Sequence, residues 1–296
     1  MAYKSFTRPK WAALASSTNI DVITTDIPIL SQKEIDDIYT PLVHFLNLLY
    51  QQHHQLHTNM QHFFNNPVKK IPFLISIAGS VSAGKSTFSE VLAALFHQLP
   101  EQPMVTILST DQFLFRNTIL EEKQLTDLKG FPESYDWVNL EQTLEDIKRG
   151  ETVEAPIYSH EVYDILTDQT QTIASPDILI VEGINTLQTG TNGEAIQEHF
   201  DISLYLDAEE DALFSWFWKR VNTFKDKAKD DPTSYYYAFK DMNEDELYQL
   251  AKSVWDNING KNLHEHILPT KQKADIIIKK ASDHSIQEVR IKESLC

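Results

Sequence analysis

The feature that most constrains this chain is the segment Gly79–Ser86, in which four residues separate two glycines and a Lys-Ser pair follows. The short apolar run Phe73–Ala78 comes directly before it, and Lys85–Leu99 places apolar side chains at helical spacing. Small residues between a strand and a helix let successive backbone N–H groups surround an anion, and the helix N-terminus adds partial positive charge. The segment therefore predicts a phosphate-binding loop, or P-loop, in an α/β fold.

The residues of this loop have distinct expected roles. Lys85 is expected to reach the β- and γ-phosphates of a nucleotide, and the Ser86 hydroxyl is expected to ligate Mg²⁺. The alternative is a chance Gly-Lys-Ser turn, which is disfavoured because strand and helix patterns flank the motif. ATP and Mg²⁺ are the predicted cofactors. The predicted ATP-binding residues in and next to the loop are Gly79, Ser80, Val81, Ser82, Ala83, Gly84, Lys85, Ser86 and Thr87.

Beyond the loop, short apolar runs alternate with segments that have helical periodicity. Continuous apolar strands alternating with helices are typical of a mostly parallel sheet covered on both faces, so the predicted fold is doubly wound α/β. The predicted strands are 73–78, 105–109, 178–181, 202–206 and 274–278, and the predicted helices are 85–99, 140–149, 208–227 and 244–257.

The beginning of the chain has a different pattern. Residues 31–64 carry apolar side chains at helical spacing, and Ser31 followed by Glu34 predicts a capping box. Four histidines between residues 53 and 62 raise the alternative of a metal site, which is disfavoured because no carboxylate or cysteine ligand lies nearby in sequence. The sequence predicts an N-terminal helical extension at 1–70, packed on a P-loop domain at 71–296.

Two acidic residues follow or end predicted strands, at the edge of an open α/β sheet where ligands bind. Asp111 comes after strand 105–109, which positions it to accept a proton from a substrate hydroxyl. The alternative for Asp111 is an N-cap or turn aspartate. Glu182 ends strand 178–181 and is expected to hold the water shell of the metal, or alternatively to be a turn acid. The chain has no guanine-reading Asn-Lys-x-Asp sequence, which disfavours a GTPase.

Composition limits the expected partners and compartment. The formal net charge is −17, and an acidic surface repels nucleic-acid backbone and anionic membranes, so neither is an expected partner. The longest apolar runs are too short to span a bilayer. Cys296 is the only cysteine, which excludes an intrachain disulfide and fits a reducing compartment. These features predict a cytoplasmic protein.

A more specific pattern lies outside the loop. The octet Lys129–Asp136 and several later segments resemble signature sequences of bacterial type I pantothenate kinases, and the similarity runs in order from about Trp11 to Arg290. Uridine kinases and phosphoribulokinases share the P-loop fold without this octet. The other matching segments are 155–160, 163–164, 182–185, 203–208 and 267–270.

The resemblance implies transfer of the ATP γ-phosphoryl group to the terminal hydroxyl of pantothenate, giving 4′-phosphopantothenate in the first step of coenzyme A synthesis. It implies Asp111 as the base, with Lys85 and Arg220 stabilising the phosphoryl group in transfer. It also implies His284 near the adenine, a homodimer, and coenzyme A as a feedback inhibitor. The implied substrate-binding residues are Tyr158, His160, Tyr163, Phe217, Arg220 and His266.

The chain departs from the family pattern at several positions. Gln112 follows Asp111 where relatives often have glycine, while Phe217 and His266 replace a pocket tyrosine and a pocket asparagine. Glu90 replaces an arginine that follows the P-loop in some relatives and is associated with the inhibitory coenzyme A site. None of these departures lies in the P-loop, so they bear on pantothenate specificity and on feedback inhibition.

Two alternative functions remain open. A P-loop kinase for another small hydroxyl substrate, such as a nucleoside, would keep Lys85 and Asp111 and change only the pocket. A catalytically silent ATP-binding regulator would bind ATP without transfer, which the intact Lys85, Ser86 and Asp111 disfavour.

Overall fold

The computed structural model describes residues 2–17, 30–190 and 195–296. Within these ranges the chain forms nine strands. They are β1 (Tyr3–Thr7), β2 (Phe73–Gly79), β3 (Val105–Ser109), β4 (Thr152–Ser159), β5 (Asp164–Ala174), β6 (Ile178–Gly183), β7 (Ile202–Asp207), β8 (Ile276–Lys280) and β9 (Ile286–Lys292).

Seven strands form one central sheet in the order β1-β9-β8-β7-β2-β6-β3, and β4 and β5 form a separate antiparallel ribbon. The five strands from β8 to β3 run parallel, and β9 and β1 extend the sheet antiparallel. Parallel strands end at one edge, so the segments that follow β2, β3, β6 and β7 lie side by side there. The predicted mostly parallel sheet is confirmed.

Helices cover both faces of the sheet. A wide helical turn, Ile35–Tyr39, joins the second helix to the third, so that 32–63 is continuously helical. Across the described ranges, no helix combines the length and the apolar character that crossing a bilayer requires. The helices are α1 (Arg8–Ser17), α2 (Gln32–Glu34), α3 (Thr40–Phe63), α4 (Lys85–Phe96), α5 (Asn117–Glu122), α6 (Trp137–Lys148), α7 (Glu210–Lys227), α8 (Glu244–Val254) and α9 (Gly260–Asn262).

The strand side chains alternate between two apolar cores. In β2, Ile75 and Ile77 pack in the larger core with residues of α3 and α4, whereas Leu74 packs in the smaller core with Leu140 and Leu144 of α6. Successive residues of a strand point to opposite faces, so a strand buried on both sides reads as an unbroken apolar run. This burial explains why β2, β6 and β7 were recognisable as continuous apolar segments.

The structure differs from the sequence predictions at the ends of some elements. β8 begins at Ile276, two residues later than predicted, because the Asp275 side chain accepts hydrogen bonds from the Ser203 N–H at 3.0 Å and the Ser203 hydroxyl at 2.7 Å. α8 ends at Val254, and a π-helical turn, Trp255–Asn259, follows it directly. Patterning did not predict β1, β9 or the β4–β5 ribbon.

The N-terminal part of the chain is more closely joined to the sheet than its helical pattern predicted. β1 pairs with β9, from Tyr3 opposite Lys292 to Thr7 opposite Glu288. The predicted capping box is only half formed. The Ser31 hydroxyl accepts a hydrogen bond from the Glu34 N–H, as predicted. The prediction is wrong for the Glu34 carboxylate, which accepts a hydrogen bond from the Ile286 N–H instead. The division of the chain at residue 70 stays a prediction.

Candidate active site

The P-loop connects β2 to α4 in the conformation that its glycines favour. Gly84 is the N-cap of α4 and has φ of 85°, a left-handed conformation that costs glycine little. At Gly79, an added Cβ would lie 2.9 Å from the Leu206 carbonyl oxygen, so the backbones of the loop and β7 meet closely. The Lys85 ammonium donates a hydrogen bond to the Ser80 carbonyl at 3.0 Å, across the loop.

Ser86 lies against an acidic residue from a neighbouring strand. Its hydroxyl donates to the Glu182 carboxylate at 3.0 Å, and Glu182, in β6, is only 6% exposed. Burial raises the pKa of Glu182, while Lys85 and the hydroxyl donors lower it. A hydroxyl and a carboxylate are hard oxygen ligands, and Mg²⁺ in nucleotide sites takes few protein ligands besides phosphates and water. These two residues fit a Mg²⁺ ion.

Asp111 lies beside the loop, at the end of β3. It is the second residue of a short 3₁₀ turn, Thr110–Phe113, whose N-cap is Ser109, so Asp111 is a turn aspartate and not the N-cap. The Tyr135 hydroxyl lies 3.4 Å from one carboxylate oxygen of Asp111, and the His160 Nε2 lies 3.9 Å from the other. Burial and the Asp111 charge raise the pKa of Tyr135, so the phenol is a donor to the carboxylate.

Charges of both signs converge on the end of the loop. Burial lowers the pKa of Lys85, the Glu182 and Asp111 carboxylates oppose this shift, and Arg220 adds to it. Arg220 reaches this group from α7, where its guanidinium lies 5.4 Å from the Phe224 ring centroid. The structure therefore brings together the three residues predicted to act on the transferred phosphoryl group.

A cluster of aromatic side chains adjoins Asp111. Tyr158 and His160 rings are 5.1 Å apart, and the Tyr163 ring stacks on Tyr235 at 4.8 Å. Partial burial lowers the pKa of His160, and the Asp111 charge opposes this shift. Three of the predicted substrate residues, Tyr158, His160 and Tyr163, therefore lie in one cluster next to the carboxylate.

Two pocket residues were missed from the sequence. The Lys129 ammonium lies 4.1 Å from the Tyr163 ring centroid and donates to the Asn117 side chain and the Tyr163 carbonyl, both at 2.6 Å. Burial lowers the pKa of Lys129 to about 8, which Asp164 and Asp111 oppose. Lys129 opens the octet that carries the resemblance, and Tyr235 opens a run of three tyrosines, so each had a visible signal.

The remaining predicted residues lie at other contacts. Phe217 is half-buried with its ring 5.7 Å from Trp255, and His266 lies 5.6 Å from Phe131 of the octet. His284, in the turn between β8 and β9, stacks on Trp216 of α7 at 4.0 Å and 18°. Burial lowers the pKa of His284, and Lys280 and Lys219 lower it further. The roles of these residues stay predictions.

Gln112 joins the catalytic turn to the β4–β5 ribbon. Its amide nitrogen donates to the Pro156 carbonyl at 2.6 Å and to the Gln171 side chain at 3.0 Å, and its oxygen accepts from the Ser109 N–H at 3.0 Å. The ribbon ends in the segment that carries Tyr158. The side chain that departs from the family glycine therefore links the turn of Asp111 to the strands of the aromatic pocket.

Comparisons with known proteins show the family of this chain. Residues 74–231 match the phosphoribulokinase/uridine kinase family. Pantothenate kinase of Shewanella loihica is 41% identical, over 98% of this chain and 96% of that protein. Pantothenate kinase of Ligilactobacillus salivarius is 41% identical, over 89% of this chain and 87% of that protein.

Solved structures show the fold. D-glycerate 3-kinase from Cryptococcus neoformans has a TM-score of 0.53 at 11% identity, covering 83% of this chain and 97% of that one. YFH7 from Saccharomyces cerevisiae, a P-loop protein with a circular permutation, has a TM-score of 0.57 at 14% identity, covering 82% and 99%. With near-complete coverage by relatives about 40% identical, this chain belongs to the pantothenate kinase family of P-loop kinases.

Proposed function

We propose that this protein transfers the γ-phosphoryl group of ATP to the terminal hydroxyl of pantothenate, giving ADP and 4′-phosphopantothenate. The observation that carries the proposal is the position of Asp111, between the P-loop lysine and an aromatic pocket that holds Tyr158 and His160. A carboxylate between a phosphate site and an acceptor pocket can take a proton from an acceptor hydroxyl.

The transfer exchanges one P–O bond for another. The pantothenate hydroxyl oxygen bonds to the γ-phosphorus, the bond from that phosphorus to the β,γ-bridging oxygen breaks, and the hydroxyl proton goes to Asp111. Lys85 neutralises charge on the β- and γ-phosphates, and the guanidinium of Arg220 stabilises the equatorial oxygens of the γ-phosphoryl group. Tyr135 holds the Asp111 carboxylate from the side away from solvent.

Ser86 and Glu182 hold Mg²⁺ in this proposal, with Ser86 as a ligand and Glu182 binding the ion or its water. An ion held there would neutralise phosphate charge. The buried Glu182 carboxylate, whose pKa burial raises, is stabilised in its charged form by Lys85 and by cation binding. The loop backbone from Gly79 to Thr87 surrounds the phosphates, and His284 lies by the adenine.

The acceptor pocket suits an anionic substrate. Pantothenate carries a carboxylate, and this chain has a net charge of −17, so the pocket needs local positive charge. Lys129, held between the Tyr158 and Tyr163 rings, supplies it. Tyr158, His160, Tyr163 and Arg220 line the pocket, and Phe217 and His266 contribute where relatives have a tyrosine and an asparagine.

The decisive experiment is an ADP-release assay with a panel of acceptors, with the phosphorylated product identified by mass spectrometry. We expect ADP release with pantothenate and a mass gain of one phosphoryl group. Preferential turnover of a nucleoside would instead show a kinase for another hydroxyl substrate. ATP binding without ADP release for any acceptor would show a regulator.

The proposal includes assembly and compartment. The protein is cytoplasmic, which its unpaired Cys296 supports. It is also a homodimer, which the resemblance supports. Exposed apolar side chains for a contact with a second copy lie along one side of α3, at Leu48, Leu56, Met60 and Phe63. Sedimentation velocity at micromolar concentration tests this, and a monomer for the unmodified chain would contradict it.

A further inference from the structure

Lys280, the last residue of β8, lies beneath the P-loop. Its side chain is 9% exposed, and its ammonium donates a hydrogen bond to the Ala83 carbonyl at 2.8 Å. A Cβ added to Gly84 would lie 3.0 Å from the same nitrogen, so the lysine touches the loop where α4 begins. The ammonium also lies 5.2 Å from the Trp216 ring centroid. A residue almost 200 positions away in sequence therefore supports the loop.

The hydrogen bond fixes the direction of one peptide. The Ala83 carbonyl and the Gly84 N–H belong to a single planar trans peptide, so they point in opposite directions. Lys280 holds this carbonyl on one side of the loop, so the Gly84 N–H is directed to the opposite side. Hydrogen bonding to a cation also polarises the peptide and strengthens its N–H as a donor.

A buried carboxylate from the N-terminal part of the chain, that of Glu34, lies close to Lys280, because it binds the N–H of Ile286, the residue opposite Lys280 in the β8–β9 pair. Burial lowers the pKa of Lys280 to about 8, Glu34 raises it, and Lys85 lowers it further, so the ammonium is charged at pH 7. Glu34 is 8% exposed and is held by Arg8 and by the Ile286 N–H, which donates to it at 2.9 Å. Glu34 lies on α2 and Arg8 on α1, both outside the P-loop domain predicted at 71–296, whereas Ile286 lies in β9 within it.

We propose that Lys280 is a positioning residue for the nucleotide phosphates, which holds the Ala83–Gly84 peptide with its N–H towards them, and that Glu34 is its counter-charge. This inference rests on the proposed ATP site. It gives the N-terminal segment a part in ATP binding, because removing the Glu34 charge leaves Lys280 buried beside Lys85 without compensation.

The test compares four variants by calorimetric titration with Mg²⁺-ATP, by the KM for each substrate, and by melting temperature. Lys280→Met should weaken ATP binding roughly tenfold, the effect of losing one hydrogen bond to a charged group, and should leave the KM for pantothenate unchanged. Lys280→Arg, which keeps the charge and a donor, should recover most of the affinity. Glu34→Gln, which keeps an acceptor for Ile286, should weaken ATP binding about threefold.

Lys279→Met is the matched control, because Lys279 is the adjacent residue of β8 and pairs with Glu209 instead. Unchanged ATP affinity in Lys280→Met, or an equal rise in both KM values, would overturn the inference. If that variant does not fold, Glu34→Gln decides, and unchanged ATP affinity there has the same consequence. ATP titration needs no acceptor. If the unmodified protein did not turn over pantothenate, the proposed function would be contradicted, but the titration would still test the role of Lys280.

Discussion

The two halves of the site are built in different ways. In the proposed site the phosphate half comes mostly from one segment, because Gly79–Thr87 supplies the loop, the lysine and the hydroxyl, and Glu182, Lys280 and His284 are added from elsewhere. The acceptor half is assembled from Lys129, the ends of β4 and β5, and α7. The residues of the phosphate half are close together in the sequence, whereas folding brings the residues of the acceptor half together from distant segments.

This difference separates general chemistry from specificity. Backbone N–H groups of a loop bind any nucleotide phosphate, so the loop can be shared by many kinases. An acceptor pocket made from distant segments can change one side chain at a time, as predicted for Phe217 and His266. Asp111 lies at the boundary, and changes on either side of it should affect different kinetic constants.

The largest expected effect is in the phosphate half. Lys85→Ala should abolish phosphoryl transfer, with a loss of roughly 10³-fold or more, because it removes the charge facing the β- and γ-phosphates. The fold should persist, since the Lys85 ammonium bonds within its own loop, to Ser80. Steady-state kinetics and circular dichroism measure the two outcomes, and turnover near that of the unmodified protein would contradict the assignment of the loop.

At the boundary, Asp111→Asn should keep ATP binding and lower kcat by about 10²–10⁴-fold, the usual contribution of a positioned base. The asparagine keeps the size of the side chain and can still accept from Tyr135. Asp127→Asn, in an exposed turn that follows α5, is the control and should leave kcat unchanged. A fall of less than roughly tenfold would mean that another group accepts the proton.

The same division explains what could be read from the sequence. The buried parallel strands and the loop were predictable, because an apolar run and a glycine pattern are local signals. β9 was not, since its buried residues, Ile286, Val289 and Ile291, do not follow a regular alternation, and its register with β8 shifts between Lys279 and Lys280. Lys280 has no local signal of its role at all, because that role depends on the Ala83 carbonyl.

The site residues divide in the same way. Lys85 and Ser86 follow from the motif, whereas Tyr158, His160 and Arg220 had no local signal and came from the resemblance. Glu34 shows a local rule being overruled: its position predicts a capping box, but the buried Ile286 N–H and Arg8 bind its carboxylate instead. Partners that are distant in sequence determine the contacts of such side chains, and the spacing of residues along the sequence does not reveal those partners.

In the acceptor half, Lys129→Met should raise the KM for pantothenate about tenfold and leave the KM for ATP unchanged, because it removes the charge facing an anionic substrate. The lowered pKa of Lys129, about 8, adds a pH signature. Lys129 is charged below this pH and loses its proton above it, so kcat/KM for pantothenate should fall as pH rises through about 8.

The Lys129→Met variant should lack this alkaline decline. Lys123→Met, which removes an exposed lysine beside Phe115, should retain both the KM and the decline. Kinetics from pH 6.5 to 9 with saturating ATP give the comparison. If Lys129→Met kept the decline, the titrating group would be another residue. If Lys129→Met raised the KM for ATP, the separation of the two halves would be contradicted.

The smallest expected effect concerns the outer edge of the phosphate half, at Glu90. This residue is exposed on α4, one helical turn beyond Ser86, where an arginine in some relatives is associated with coenzyme A inhibition. Coenzyme A carries several phosphate charges, so a carboxylate at this position repels the inhibitor where a guanidinium would attract it. Coenzyme A should therefore inhibit this protein more weakly than the family pattern implies.

Glu90→Arg should strengthen the inhibition by only about two- to fivefold, because exposed charge pairs contribute roughly 0.2–1 kcal/mol in water. The gain should shrink with added salt, as screening requires, and pantothenate turnover without inhibitor should not change. Inhibition curves at one fixed ATP concentration measure it, with Glu90→Gln expected between the two and the exposed Glu101→Arg as a charge-matched control. Potent inhibition of the unmodified protein that Glu90→Arg leaves unchanged would show that the inhibitor phosphates bind away from this helix, and the phosphate half would then end at Thr87.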